Sequence, residues 1–137
     1  MSGPDLSDAE RAQVNEVIQS PVLSMGEKTT QFEKAVAHFV NAKHAMAVNS
    51  GTAGLHLCVR AAGIEPGDLV LTTPFSFVAS TNVILFEKAI PVFVDVDPLT
   101  GNLNVADLER AAAALAKGGQ EAAHWLPRKG AENPGKL

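Results

Sequence analysis

From Ala45 to Leu115, three short apolar runs alternate with helical patterns. The runs are Ala45 to Asn49, Leu69 to Thr72 and Ile90 to Val94. Each reads as a strand, and Leu69 to Thr72 is a continuous apolar one bounded by turns, as in a parallel sheet with both faces covered. Between them the apolar residues recur with helical spacing. Leu55, Cys58, Val59 and Ala62 follow the first run, and Val78, Asn82 and Leu85 lie near one helical face after the second. Strands alternating with helices predict a three-layer, doubly wound α/β sheet. In such sheets ligands sit beyond the C-terminal ends of the strands. Three loops fall there, Ser50 to Thr52, Thr73 to Phe77 and Asp95 to Asp97.

The first loop, Asn49-Ser50-Gly51-Thr52-Ala53-Gly54, reads as strand, tight turn and helix start. A helix beginning there presents free N–H groups and the positive end of its dipole, which together suit an anion. Ser50 or Thr52 can cap it, and Gly51 allows close backbone approach. Plain capping is the commoner use of such a turn. No Lys-Ser/Thr pair makes it a Walker loop, and no G-x-G-x-x-G makes it a dinucleotide fingerprint.

Two helices are predicted before this region. Ser7-Asp8-Ala9-Glu10 is a capping box for a helix to about Ile18, ended by Pro21. A second runs from about Glu27 to Val40, with Phe32, Val36, Phe39 and Val40 on one side. Gly63 stands where a helix C-terminal glycine belongs, and Glu65-Pro66-Gly67-Asp68 reads as a turn. Asn104 should cap a helix from about Val105 to Leu115. From Ala116 to Leu137 the chain becomes rich in Gly and Pro. That stretch reads as a disordered tail with one short helical turn at Glu121 to Leu126.

The 137 residues carry a net charge of −4, which gives no support to nucleic acid or an anionic membrane as partner. The single cysteine, Cys58, lies on an apolar helical face and is expected to be buried. None of the four histidines has zinc-ligand spacing, so no metal site is predicted. The N-terminus lacks a secretion signal, and no apolar run is long enough for a membrane span. A cytoplasmic protein is the expectation.

Phe77, beside the second loop, could stack on a planar heterocycle or pack in the core. Asp95 and Asp97 could be an acid–base pair or Asx-turn residues, and the turn reading is favoured. The hydroxyls of Thr72, Thr73, Ser76, Ser80 and Thr81 have no evident activating base. No lysine follows a strand into the rim, and Lys88 sits after a helix at the opposite end.

Taken together, several segments resemble the N-terminal part of the DegT/DnrJ/StrS family of sugar aminotransferases. They are Leu23-Ser24-Met25-Gly26, the helix holding Phe32-Glu33, Val48 to Ala53, Gly63 to Asp68, Thr73 to Ser80 and Pro91 to Asp97. The resemblance spans about residues 3 to 115, taken as one domain part (residues 1–115), with residues 116–137 as a divergent tail. It implies a partial large domain of a fold-type I enzyme using pyridoxal 5′-phosphate (PLP). It also implies that Thr52 and Ala53 hold the cofactor phosphate, Phe77 stacks on the pyridine ring, and Met25-Gly26 lies near the substrate entrance. Relatives usually carry Ala where this chain has Gly54.

The family's substrates are nucleotide-linked keto sugars with glutamate as amino donor, its products feed polysaccharide biosynthesis, and its members form homodimers. The pyridine-nitrogen Asp and the Schiff-base lysine are implied to lie beyond Leu137. No catalytic residue is therefore assigned here, and the chain is expected to be an N-terminal fragment, inactive alone. The alternative is a non-catalytic remnant or a subunit-interaction module pairing with an intact homologue. A nucleotide-sugar dehydrogenase is disfavoured by the missing glycine fingerprint. The resemblance also implies that Ala45 to Asn49 pairs with a strand beyond Leu137, so stability is expected to fall short of that normal for 137 residues.

Overall fold

The computed structural model describes residues 3–127. The chain divides between Ala47 and Val48 into two compact units. In the first, helix α1 spans Asp8–Ile18 and α2 spans Glu27–Phe39. The predicted capping box starts α1. Ser7 Oγ accepts from Ala9 N at 3.2 Å, and Glu10 Oε2 accepts from Ser7 N at 2.6 Å. Lys28 ties the two helices together, donating to Glu16 Oε2 at 2.9 Å and Gln13 Oε1 at 2.5 Å. None of the described residues of this unit is buried.

The second unit holds α3 (Gly51–Ala61), β1 (Leu69–Thr72), α4 (Ala79–Phe86), β2 (Ile90–Phe93), α5 (Val105–Lys117) and α6 (Gly119–Ala123). Strands β1 and β2 pair in parallel, Leu69 opposite Ile90 through Thr72 opposite Phe93, with α4 as the crossover. The ladder is continued at both ends by Ile90 N to Asp68 O (2.7 Å) and Val94 N to Thr72 O (2.8 Å). These donors alternate along β2, so the position of Pro91, which has no N–H, faces away from β1. Proline is tolerated on such an outer edge. Val83, Ile84 and Ala89 form the core cluster, with Val59, Ile64 and Val70 packed against it. Val92, Val94 and Ala111 are also fully buried.

The sheet corrects one expectation. Among the described residues it has two strands, not the several of a doubly wound three-layer sheet. Ala45 to Asn49 forms no strand. An apolar run becomes a strand only when a neighbour takes its backbone groups, and here Ala47 N donates instead to Glu33 Oε1 at 2.9 Å. Cys58 is a second correction, being exposed. Helix α3 has no buried residue, and Val59 is the apolar side chain it contributes to the core cluster. The Leu55–Cys58 side of the stripe is left uncovered because no other described element buries it.

Local signals were followed closely. Gly63 has φ 73° and its N–H bonds Arg60 O at 3.0 Å after α3, a left-handed conformation that favours glycine. Asn104 Oδ1 accepts from Asp107 N at 3.2 Å to start α5. That helix runs to Lys117, and the short helix beyond it, α6, begins at Gly119 rather than Glu121. Residues 128–137 of the expected tail lie outside the described residues. No helix among the described residues is long and apolar enough to cross a membrane.

Gly54 offers a test of local packing. A Cβ placed there would lie 3.5 Å from Val48 Cγ2, an ordinary contact, and its φ is not positive. Gly54→Ala is expected to stabilise the second unit by about 0.5–1 kcal/mol, through helix propensity. Denaturant titration checks this, and a loss of stability would contradict it.

Candidate functional site

The first turn of α3 is built by Ser50, which is extended (φ −161°, ψ 158°) and caps the helix. Its Oγ accepts from Ala53 N at 3.1 Å, and its carbonyl accepts from Gly54 N at 3.1 Å. The cap thus occupies the N–H of Ala53, while those of Gly51 and Thr52 have no acceptor among the described residues. No atom lies within 4 Å of where a Cβ on Gly51 would stand. Two donors without an acceptor at a dipole's positive end suit an anion, which is stabilised there by about 0.3–1 kcal/mol.

Phe77 lies just before Val78, the N-cap of α4, rather than inside the helix, and is 78% exposed. A phenyl ring left this open has its face available for stacking. Ser76 and Ser80 hydroxyls lie 3.0 Å apart beside it, and Thr73 Oγ1 accepts from Phe75 N at 3.1 Å to shape the loop.

The third loop forms the turn that its residues suggest. Asp97 Oδ1 accepts from Leu99 N and Thr100 N, both at 2.9 Å, and from Thr100 Oγ1 at 3.2 Å. The Thr100 N–H, then that of Leu99, holds its carboxyl below the usual aspartate value. Asp95 accepts from its neighbour Val96 N at 2.8 Å. The turn does meet the second loop, since a Cβ on Gly101 would come 3.9 Å from Phe75 Cε1.

A cluster missed in the sequence joins α3 to the end of α4. His56 Nε2 lies 2.5 Å from Glu87 Oε1, and Arg60 donates to both Glu87 oxygens at 3.2 and 3.3 Å. The His56 ring meets Phe86 edge-on, centroids 5.4 Å apart. The i, i+4 placement of His56 and Arg60 on one helix face was the available signal. The His56 hydrogen bond, and less strongly the Arg60 charge, holds Glu87 below the ordinary glutamate value of 4.5.

A carboxyl whose pKa is lower in the folded state stabilises the fold above its unfolded value and loses that contribution as pH falls through the folded one. Melting temperature should therefore drop as pH falls below about 4.5, and drop less steeply in Glu87→Gln. Superimposable pH profiles for the two proteins would contradict this.

The lysines of residues 48–127 are Lys88 and Lys117. Lys88 follows α4 at the end of the sheet where β2 begins, its carbonyl accepting from Gly67 N at 2.9 Å. Lys117 closes α5 and pairs with Glu121 at 3.5 Å. Neither stands on a loop leaving a strand. The described residues hold no cluster of three metal-ligating side chains. A cavity of ≈620 Å3 lies against Leu85, Ile90, Pro91, Phe93 and Trp125, and carries none of the three loops.

The profile of the DegT/DnrJ/EryC1/StrS aminotransferase family matches residues 4–118. The chain belongs to this family. It is 46% identical over 114 residues to the spore coat polysaccharide biosynthesis protein SpsC of Bacillus subtilis, covering 83% of this chain and 29% of that protein. It is 42% identical over 110 residues to GDP-perosamine synthase of Caulobacter vibrioides, covering 80% of this chain and 30% of that one. Among solved structures, Spr1654 of Streptococcus pneumoniae in its PLP form aligns with a TM-score of 0.76 at 31% identity, over 79% of this chain and 28% of that chain. Helicobacter pylori PseC, an aminotransferase involved in the biosynthesis of pseudoaminic acid, aligns with a TM-score of 0.70 at 31% identity, over 87% of this chain and 30% of that chain. The chain thus spans under a third of the length of these relatives. The fold-type I assignment stands at this level, with the part of the α/β domain seen here centred on a two-stranded sheet.

Proposed function

We propose that this chain supplies the phosphate cradle and ring contact of a PLP-dependent aminotransferase acting on nucleotide-linked keto sugars. The observation that carries the reading is the capped start of α3, where the Gly51 and Thr52 N–H groups have no acceptor among the described residues and a Cβ on Gly51 would meet nothing within 4 Å. Thr52, itself half-buried, adds a hydroxyl one residue on. These donors would bind the phosphate; the N–H of Ala53, which the family resemblance also assigns to the phosphate, is taken by the Ser50 cap. Phe77 would press on one face of the pyridine ring, limiting its tilt and excluding water from that side.

PLP, when bound, supplies the electron sink through which an amino group passes from glutamate to the keto sugar. These residues bind and orient it. The proton-moving amine does not come from Lys88 or Lys117, given their positions, so catalysis by residues 48–127 alone is not expected. A homodimer like that implied for the family would place further residues at the site.

Pyridoxamine 5′-phosphate is the suitable probe, because it has no aldehyde to react with surface lysines. Its addition should shift the Gly51 and Thr52 amide resonances, while pyridoxamine without phosphate should leave them unmoved. Phe77→Ala should weaken pyridoxamine phosphate about two- to tenfold, the scale of one aromatic stacking contact. Binding indifferent to the phosphate would overturn the reading.

A second reading, a module that pairs with an intact homologue, is favoured by the outer edge of β1. The ladder alternation turns the N–H and C=O groups of Leu69 and Leu71 away from β2. Such an edge is a template for a further strand. Retention of a full-length relative on the immobilised chain without added PLP would support it.

A further inference from the structure

Glu87 is the junction of two helices that carry different parts of the cradle. Its side chain is 14% exposed and is held from α3 by His56 and Arg60 together. Val59, between them on α3, packs on the Val83–Ile84–Ala89 cluster of α4 and its C-terminal turn. The contacts therefore run along one face of α3, with Phe86 against His56 at the same level. His56 lies five residues from Gly51, about 7.5 Å along the helix axis. The eight residues of α4 span about 12 Å, and Phe77 lies just before its first turn. Both helices are short and stiff, so a change in how they meet at Glu87 is carried to their N-terminal turns.

Resting on the cofactor reading above, we propose that Glu87 is a positioning residue. It sets the spacing between the free N–H groups of Gly51 and Thr52 and the Phe77 ring, and so the affinity for a ligand that needs both. Its carboxylate touches no part of the cradle. The Coulombic and hydrogen-bonding attraction to two groups of one helix face adds a directional restraint on the distance and rotation of α3 against α4 to the non-directional packing of Val59 and Phe86. Misplacing one contact of a two-point ligand by an ångström is costly, whereas a one-point ligand follows its single contact.

The test compares two probes on the full 137-residue chain. Pyridoxamine 5′-phosphate needs the α3 turn and the Phe77 ring, while inorganic phosphate needs the turn alone. Glu87→Ala is expected to weaken pyridoxamine phosphate about tenfold or more and to leave inorganic phosphate within about twofold. Glu87→Gln, which keeps an acceptor for His56, should recover part of the loss. If Glu87→Ala fails to fold, Arg60→Ala carries the same comparison, because its exposed side chain contributes nothing to the core. Equal weakening of both probes, or no change in either, overturns the positioning role and leaves the cofactor reading standing. A wild-type chain that binds neither probe overturns both.

Discussion

Ile84→Ala is expected to abolish the cooperative unfolding transition of the second unit at room temperature. Ile84 is 2% exposed, at the centre of the cluster that Val83 and Ala89 complete. Val59 from α3, Ile64 from the connection and Val70 from β1 pack on that cluster, so a cavity there loosens three elements at once. Truncating a buried isoleucine to alanine costs about 2–5 kcal/mol. Domains are stable by about 0.05–0.15 kcal/mol per residue, and a unit built on a two-stranded parallel sheet should lie at the low end. The loss then equals most of the available stability. Leu85→Ala is the control, since its side chain, one residue along the same helix, is exposed. It should change stability by well under 1 kcal/mol. Circular dichroism melts of the two variants decide the matter. An Ile84→Ala protein melting within a few degrees of wild type would show that the core lies elsewhere.

The second large effect concerns the whole chain. Globular proteins absorb about 0.7 kcal/mol per residue on unfolding near 60 °C, or roughly 95 kcal/mol for a chain of this length. Calorimetry is expected to find far less. Helices α1, α2 and α3 bury no residue, and the large apolar side chains Phe32, Phe39 and Met46 are exposed, Phe39 to 89%. Unfolding these residues exposes little new apolar surface, so it contributes little heat. Helices of 11 to 13 residues are marginal in water without tertiary burial. Slow amide exchange should accordingly be confined to β1, α4, β2 and α5, with α1 and α2 exchanging fast. A single transition with an enthalpy near the full value would contradict this.

Several elements were legible because their causes are local. The Ser7–Glu10 capping box, the Asn104 cap, Gly63 after α3 and the Asp97 turn each depend on atoms within four residues, and each formed as read. The apolar runs at Leu69 and Ile90 became strands because they found each other across α4. The same kind of run at Ala45 to Asn49 did not, because a strand is a property of two segments and this one has no partner among the described residues. The exposure of Cys58 has the same cause, since an apolar stripe is buried only if something packs on it.

At the candidate site the division is similar. The residue order alone placed a capped helix start at Ser50 and an aromatic at Phe77, and resemblance to the family attached phosphate and ring to them. Which hydroxyl caps α3, and hence which N–H groups stay free, was decided by the extended conformation of Ser50. The His56–Glu87–Arg60 junction joins residues up to 31 apart, and only packing of α3 against α4 could bring them together. Sequence by itself determined the caps, turns, two strands and family of this protein, because those rest on short-range hydrogen bonding and on residue order. Tertiary structure decided strand pairing, burial and the setting of the cradle, because each depends on which distant surfaces meet.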